Sequence, residues 1–580
     1  MSKLNIDQKT IKDLFSDKKS DFLIPDYQRP YAWEESECQT LWDDIFAFSF
    51  PDGNADNFDS ENDEYFLGPI VTFKNQDTGK SEIIDGQQRI TTLMLLLRAF
   101  YVKLLNMKDN NTIKTRDAIA SCIWKADEFD NPDKTRLKID SEVASDDDKE
   151  EFYYILINGE VKKDMKSRYA NAFRFFEEKI QVFLNEFPSY FAFLPNRVLK
   201  NCILLPIEAE SQDTALRIFS TLNDRGKSLS DTDIFKAQFY KYYASKSEKD
   251  DFIARWKDLE TLSEKIFSSQ SGSAMDELFT EYMYYLRAKQ GIKLSTTEAL
   301  RKFFEKNNYS LLKNDEALND LEKLADFWSA IETQDEAFSE RVLKQLFILN
   351  YAPNGMWRYF LSVYYMSRGV DIVNLDEEKL YNFLNKTIAF IWSYNFIRPG
   401  VNALRTPIYP EMVNLVNGEE IDFREYLFDK NELETNIKSF TYTNGRPITK
   451  SMLAWWLYQN PEQSLISLGE KLEVEHIFSR KRQEIENSLS HKNILEKLGN
   501  KALLEKNINI RAADYRLEDK KKYYEGYTND KNVKKHGTKN KDLLNISKNY
   551  KKFDEDEILS RTNDIFREFI DFVRKQDLLK

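Results

Sequence analysis

Cysteine and histidine are nearly missing from these 580 residues, with three of each. Cys38, Cys122 and Cys202 stand far apart and in no CxxC pair, which excludes a disulfide framework and a thiolate zinc site and makes a reducing cytoplasm the expected compartment. Long apolar runs are missing too. The longest, Met452 to Tyr458, is much too short to span a bilayer, and the opening MSKLNIDQKTIKDLF has no apolar signal core, so a soluble chain with no membrane partner is expected. There is no internal repeat of fixed period and no Pro- or Ser-rich linker. Neither Gly79-Lys80-Ser81 nor Gly226-Lys227-Ser228 is a P-loop, because Lys74 and Thr221 stand where the upstream glycine belongs. HExxH is absent, as is GxGxxG after a strand, which speaks against a zincin and a dinucleotide-binding enzyme.

Positive charge is in deficit, 84 Lys and Arg against 97 Asp and Glu, a net of −13. That balance argues against a protein coated in nucleic acid, but the distribution is uneven. Acids crowd Asp52 to Glu64 and Asp127 to Glu151, whereas Lys520 to Lys552 holds eleven lysines against Glu525, Asp530 and Asp542. Tyr523, Tyr524, Tyr527 and Tyr550 stand among those lysines and offer stacking surface of the kind used by nucleic-acid sites that track the backbone.

The length suits three to four domains with ample core. Pro25 and Pro30 impose an extended entry before a helix that starts near Glu34. Gly68 to Phe73 and Ser81 to Asp85 read as two strands flanking a turn at Asn75 to Lys80, enough for a small sheet. From about Glu150 onward helical spacing dominates, in Tyr169–Glu186, Ala215–Leu222, Leu229–Tyr243 and Lys379–Tyr394. The expected class is α+β, mostly helical.

Three polar constellations carry chemistry. In SEIIDGQQRITTLMLLL, at Ser81 to Leu97, an apolar strand runs through Asp85-Gly86-Gln87-Gln88-Arg89 into an apolar helix. Unpaired N–H groups of a first helical turn, with an arginine in that turn and a glycine letting the backbone approach, suit a phosphate. In ALRIFSTLNDRGKSLSDTDIFK, Asn223, Asp224, Arg225 and Gly226 form a loop between helices, with Arg225 a second phosphate ligand. In LEVEHIFSRKR, His476 ends an alternating stretch flanked by Glu473 and Glu475; a further strand, Lys501 to Glu505, leads through Asn507 and Asn509 into a polar helix. Strand with acid and histidine, loop, strand, asparagine and helix is the order a one-metal nuclease needs. The histidine acts as base on water, and oxygen donors hold Mg²⁺ or a similar ion.

Taken together, IPDYQRPYAW with Leu41-Trp42-Asp43-Asp44-Ile45, IIDGQQRITTL, IFSTLNDRGKSLSDTDIFK and EVEHI…LGN…LLEK…N resemble the domain pair of the GmrSD-type modification-dependent (type IV) restriction endonucleases. The resemblance implies a ParB/sulfiredoxin-like DGQQR domain with a helical extension over residues 1–240, a helical middle domain over 241–440, and an HNH-type ββα-metal nuclease domain with a basic end over 441–580. It implies a nucleotide site at Asp85, Gly86, Gln87, Gln88 and Arg89, helped by Gln28, Arg29, Asn223 and Arg225. It makes His476 the general base, Glu475 and Asn509 the ligands of Mg²⁺ or Mn²⁺, and Asn500 the brace of the loop. Asn507 competes with Asn509; Asn509 is favoured because the helix is expected to begin just after it. The chain departs from the pattern where Glu475 replaces the common Asp, FSRKR the proline-containing turn, and GNK the usual GNL.

The implied activity is NTP-regulated, metal-dependent cleavage of modified phage DNA in anti-phage defence, with NTPase activity on GTP or ATP. Two other readings stay open: a nucleotide-dependent regulatory protein with a degenerate nuclease domain that only binds nucleic acid, and an RNA-directed nuclease or toxin. The motifs leave open whether the chain forms a homo-oligomer.

Overall fold

In the computed structural model the described residues are 5–580 without 7, 77, 144–145, 212–213, 216–217, 219–230, 268–272, 401 and 530–531. Ala215–Leu222 of the expected helices and Asn223, Asp224, Arg225 and Gly226 fall wholly or largely outside them. The chain forms two compact units, Met1–Lys257 and Asp258–Lys580, so residues 258–440 and 441–580 share one unit.

The strands of the first unit are β1 (Asn5–Ile6), β2 (Lys9–Thr10), β3 (Phe22–Ile24), β4 (Tyr65–Lys74), β5 (Ser81–Asp85), β6 (Trp124–Ala126), β7 (Pro132–Leu137), β8 (Ile139–Ser141) and β9 (Cys202–Ala209). They build a mixed sheet in the order β1-β9-β4-β5-β3-β8, with β2 also on β9, while β6 and β7 form a separate hairpin. β4 runs antiparallel to β5, joining Val71 to Asp85 and Lys74 to Ser81, and parallel to β9. The strand β9 was not expected where helical spacing dominates beyond Glu150. Its sequence CILLPIEA is a short apolar run, and periodicity cannot tell such a run from a buried helical segment.

Alternation along the strands gives the sheet two apolar faces. Ile70 and Ile83 join the large core with the helices Ile11–Ser16, Glu35–Ser49, Gln87–Leu104, Asn110–Ile123, Arg168–Glu186 and Phe193–Asn201. Val71 and Ile84 face the other way, onto Tyr27 and Ala237 of the helix Asp231–Ser245. The expected helix start near Glu34 is a capping box, in which the Glu34 N–H donates to Glu37 Oε2 at 3.0 Å. From Ile90 to Ala99 nearly every side chain of Gln87–Leu104 is buried, which is what an apolar helix without a polar face requires.

Among its described residues the second unit is helical apart from two short antiparallel strand pairs. The C-terminal helix Glu555–Lys575 packs on the helices Glu377–Ile397 and Lys430–Ser439, and Phe569 meets Trp455 edge-on at 5.2 Å. One carboxylate lies wholly inside. Glu281 accepts from Ser362 Oγ at 2.6 Å and from Arg358 Nε at 3.3 Å, and Ser362 in turn accepts from Trp328 Nε1 at 2.9 Å.

Burial outweighs the arginine and pushes Glu281 from 4.5 up to about 7. A carboxyl group whose folded pKa lies above its unfolded value stabilises the fold fully below the unfolded value, and that contribution is lost as pH rises through the folded one. Thermal melts should therefore show the stability of the wild type relative to Glu281→Gln falling between about pH 4.5 and pH 7, by on the order of 3 kcal/mol. A constant difference across that window would refute the assignment.

Candidate functional site

The DGQQR segment forms where β5 ends at Asp85 and Gly86 turns the chain into the helix Gln87–Leu104. Gly86 has φ +92, and a Cβ there would stand 3.2 Å from Ile70 Cγ1, so the turn requires glycine. Burial pushes the Asp85 carboxyl up, opposed by the Gly86 N–H and by the charges of Arg89 and Arg29. The Arg89 guanidinium donates to Pro69 O at 2.9 Å and lies 3.0 Å from where a Gly68 Cβ would be, so the bulge at Gly68 in β4 is what seats it. Gln88 fastens the IPDYQRPYAW loop to the helix: its Oε1 accepts the Ala32 N–H at 2.7 Å and its Nε2 donates to Pro30 O at 3.1 Å. Gln28 does the same to β5, donating to Ile84 O at 3.2 Å. Gln87 is buried.

Arg29 has a buried Nε with no hydrogen-bond partner. A bound anion or an ordered water would give that donor its partner. Gln28, Arg29 and Asp85 to Arg89 are thus gathered at one helix start, whereas Asn223 and Arg225 lie outside the described residues. Asp26, not singled out from the sequence, ties this loop to the helices behind it, with Tyr240 donating at 3.1 Å and Lys249 paired to the same Oδ2.

The second constellation lies in the other unit. β10 (Leu472–His476) pairs antiparallel with β11 (Lys501–Glu505), with His476 opposite Lys501 and Leu472 opposite Glu505, and the helix Lys506–Ala512 follows at once. Asn507 and Asn509 therefore lie inside that helix, not ahead of it. The expectation that it begins after Asn509 is corrected, because the chain turns helical as it leaves the last paired residue, Glu505. Asn500 is fully buried; its Oδ1 accepts the Phe478 N–H at 2.7 Å, and its Nδ2 donates to Phe478 O at 3.0 Å and Leu495 O at 3.1 Å. The two bonds to Phe478 hold the segment just after His476, and the third ties it to Leu495.

Alternation along β10 sends Glu473 and Glu475 to one side and His476 to the other. Glu475 is buried, and its Oε1 accepts from both Lys520 Nζ at 2.6 Å and Tyr524 OH at 2.7 Å, while Lys520 also donates to His476 O at 2.6 Å. Burial raises the Glu475 pKa and Lys520 lowers it. Asn509 Nδ2 donates instead to Glu473 Oε2 at 3.0 Å. His476 Nε2 is buried without a hydrogen bond, 3.9 Å from Glu496 Oε1. Glu496 is held by Arg480 Nη2 and Lys501 Nζ, each at 2.6 Å. Desolvation and Lys501 hold the imidazole well below its ordinary pKa, hence neutral at pH 7.

The fit to a metal is good in kind and incomplete in placement. Carboxylate and amide oxygens suit a hard cation. Glu475 and Asn509, however, each face another partner, and no group of three His, Cys, Asp or Glu among the described residues is arranged for a metal. A cation shared by those two residues requires Lys520 to give way.

Glu496, Lys501, Lys520 and Tyr524 are the site residues that sequence reasoning missed. Lys520 and Tyr524 were legible only as part of the basic, aromatic end, yet both are buried. Tyr523 packs against other rings of the chain, 5.9 Å from Tyr515 and 5.3 Å from Tyr527, and Tyr550 is exposed.

The family model for the N-terminal domain of the GmrSD restriction endonuclease matches residues 11–240, and that for the C-terminal domain of GmrSD restriction endonucleases matches residues 427–568. No curated protein matches the chain. The first match spans the DGQQR helix start and its loop, and the second spans His476, Asn500 and the β10-β11 hairpin: the chain belongs to the GmrSD restriction endonuclease family.

Proposed function

We propose that this protein is a nucleotide-regulated HNH-type endonuclease that cuts modified phage DNA in the cytoplasm. The observation that carries the reading is the strand, strand, helix unit in which His476 ends β10 and Asn500 locks the segment behind it. A neutral imidazole in that place can take the proton of an attacking water. Asn500 keeps the histidine's strand end from moving as the proton is transferred. A divalent ion, Mg²⁺ or Mn²⁺, held by Glu475 and Asn509 would stabilise charge on the scissile phosphate. No helix among the described residues is long and apolar enough to cross a membrane.

The other unit supplies the control. Arg29 and Arg89 beside a helix N-terminus suit the phosphates of GTP or ATP, and Asn223 and Arg225 would add to that site. Nucleotide can gate cleavage only through different affinities for two states of the protein. Hydrolysis of the nucleotide would return the protein to its starting state.

Cleavage of modified and unmodified phage DNA and of matched RNA, with and without each NTP and Mg²⁺ or Mn²⁺, tests the whole scheme. His476→Ala should lose roughly 10²–10⁴-fold in cutting rate, and Arg89→Ala should lose the response to nucleotide. Undiminished cutting by His476→Ala would sink the nuclease assignment. Preferential cutting of RNA would support an RNA-directed nuclease, and binding without cutting would support a regulatory protein.

A further inference from the structure

We propose that Glu496 is a positioning residue that fixes the tautomer of His476, and that Arg480 withholds it until a DNA phosphate draws the guanidinium away. The proposal rests on the reading of His476 as the general base.

Five observations converge. The Nε2 of His476 is a buried polar atom with no hydrogen bond, and leaving such a group unpaired is costly. Glu496 Oε1 faces it at 3.9 Å, too far for a hydrogen bond and close enough that a small movement makes one. Glu496 is well anchored: its Oε2 accepts from Lys501 Nζ at 2.6 Å, and that ammonium, wholly buried, also donates to Asn444 Oδ1 at 2.7 Å. Lys501 stands directly opposite His476 across the β10-β11 pair, so strand register brings carboxylate and imidazole together.

The fifth observation concerns the competitor. Arg480 Nη2 donates to the same Oε1 that faces His476, at 2.6 Å, and the arginine side chain is 52% exposed. An exposed guanidinium four residues beyond a general base, in a nuclease, is placed to meet the phosphate backbone, for which its planar fork is suited. The bond to Arg480 holds Oε1 at 3.9 Å from the imidazole; once Arg480 turns to phosphate, the carboxylate can close that gap and accept the Nε2–H of His476. The other ring nitrogen, Nδ1, then keeps its lone pair for the proton of the attacking water. Apart from DNA, no hydrogen bond on Nε2 fixes which ring nitrogen of His476 carries the proton. Contacts of this kind commonly tighten only when substrate binds.

Selective ¹⁵N-histidine labelling of the full chain tests this without relying on catalysis, because only His476, His491 and His536 contribute. On adding a non-cleavable phosphorothioate DNA duplex, the His476 signal should become that of a single Nε2–H tautomer. Arg480→Ala should show that tautomer without DNA, and Glu496→Ala should not show it with DNA. In cleavage assays Glu496→Ala should lower kcat roughly 10–100-fold, as loss of an orienting partner does, with KM unchanged, and Glu496→Gln should recover part of the loss. Arg480→Ala should raise KM. A His476 spectrum identical in wild type and Glu496→Ala with DNA bound would overturn the proposal. If the wild type cuts no nucleic acid, the nuclease reading fails by itself, and the tautomer measurement still decides the role of Glu496.

Discussion

Replacing Gly499 by alanine should lower the melting temperature of the Asp258–Lys580 unit by roughly 6 °C or more. An added Cβ would run into Ile558 O and stand 2.5 Å from Thr562 Oγ1 and 2.7 Å from Thr562 N, the backbone and hydroxyl of the long C-terminal helix. The Gly499 N–H already donates to that hydroxyl at 3.0 Å. The φ of Gly499 lies outside the left-handed region, so the penalty is steric: the helix must move, because backbone atoms cannot swing aside as a flexible side chain does. Overpacking of this kind costs roughly 3 kcal/mol or more at its upper end, and each kcal/mol is worth about 2 °C in a unit of this size. The loss should reach activity as well, since the next residue, Asn500, holds Phe478 and with it the segment after His476. Gly445→Ala, where an added Cβ meets nothing within 4 Å, is the control and should melt with the wild type. Equal melting temperatures for both variants would show that the helix does not approach Gly499 this closely.

Lys520→Met should cost about 3–5 kcal/mol, the usual consequence of removing one partner from a buried ion pair. Neither side chain is appreciably exposed, and Glu475 Oε1 would keep only Tyr524 OH as a donor. The uncompensated carboxylate would then favour its protonated form, so the loss should grow as pH rises, the direction expected of a carboxyl whose folded pKa is raised. Glu475→Gln combined with Lys520→Met should recover most of the stability, because a neutral amide no longer needs the ammonium. Urea unfolding of the two single variants and the double variant measures this. A double variant no more stable than Lys520→Met would show that the lysine acts through its bond to His476 O instead.

Much of this site was legible before folding because its chemistry is local. Asp85-Gly86 reads as a turn, since only glycine tolerates the left-handed backbone there, and the apolar run after Arg89 reads as a helix. LEVEH alternates, and LEVEHI with KALLE could be paired as strands. The helix start near Glu34 was likewise legible, and the structure adds the pairing of Glu34 with Glu37 three positions on. β9 was not legible, because an apolar run buried on both faces carries no alternation. The helix over Asn507 and Asn509 was placed late for a related reason: asparagines ordinarily signal loops and caps, and here the packing of Ile508 against the hairpin core overrides that preference.

What the sequence by itself determined is the set of short-range devices: the glycine turn before the first core helix, the helix start near Glu34, the histidine at the end of a strand and the family to which these motifs point. Only the tertiary structure decided who faces whom. Lys520 lies 45 residues from Glu475 and was readable as surface charge until the fold buried it. Glu496 stands 20 residues beyond His476 in an unremarkable polar stretch, yet the register of β10 on β11 sets Lys501, and through it Glu496, against the imidazole. Gly68 makes room for Arg89 from a neighbouring strand. Charges and glycines of this kind have no periodicity to betray them, since their partners are chosen by packing across the core and not by spacing along the chain.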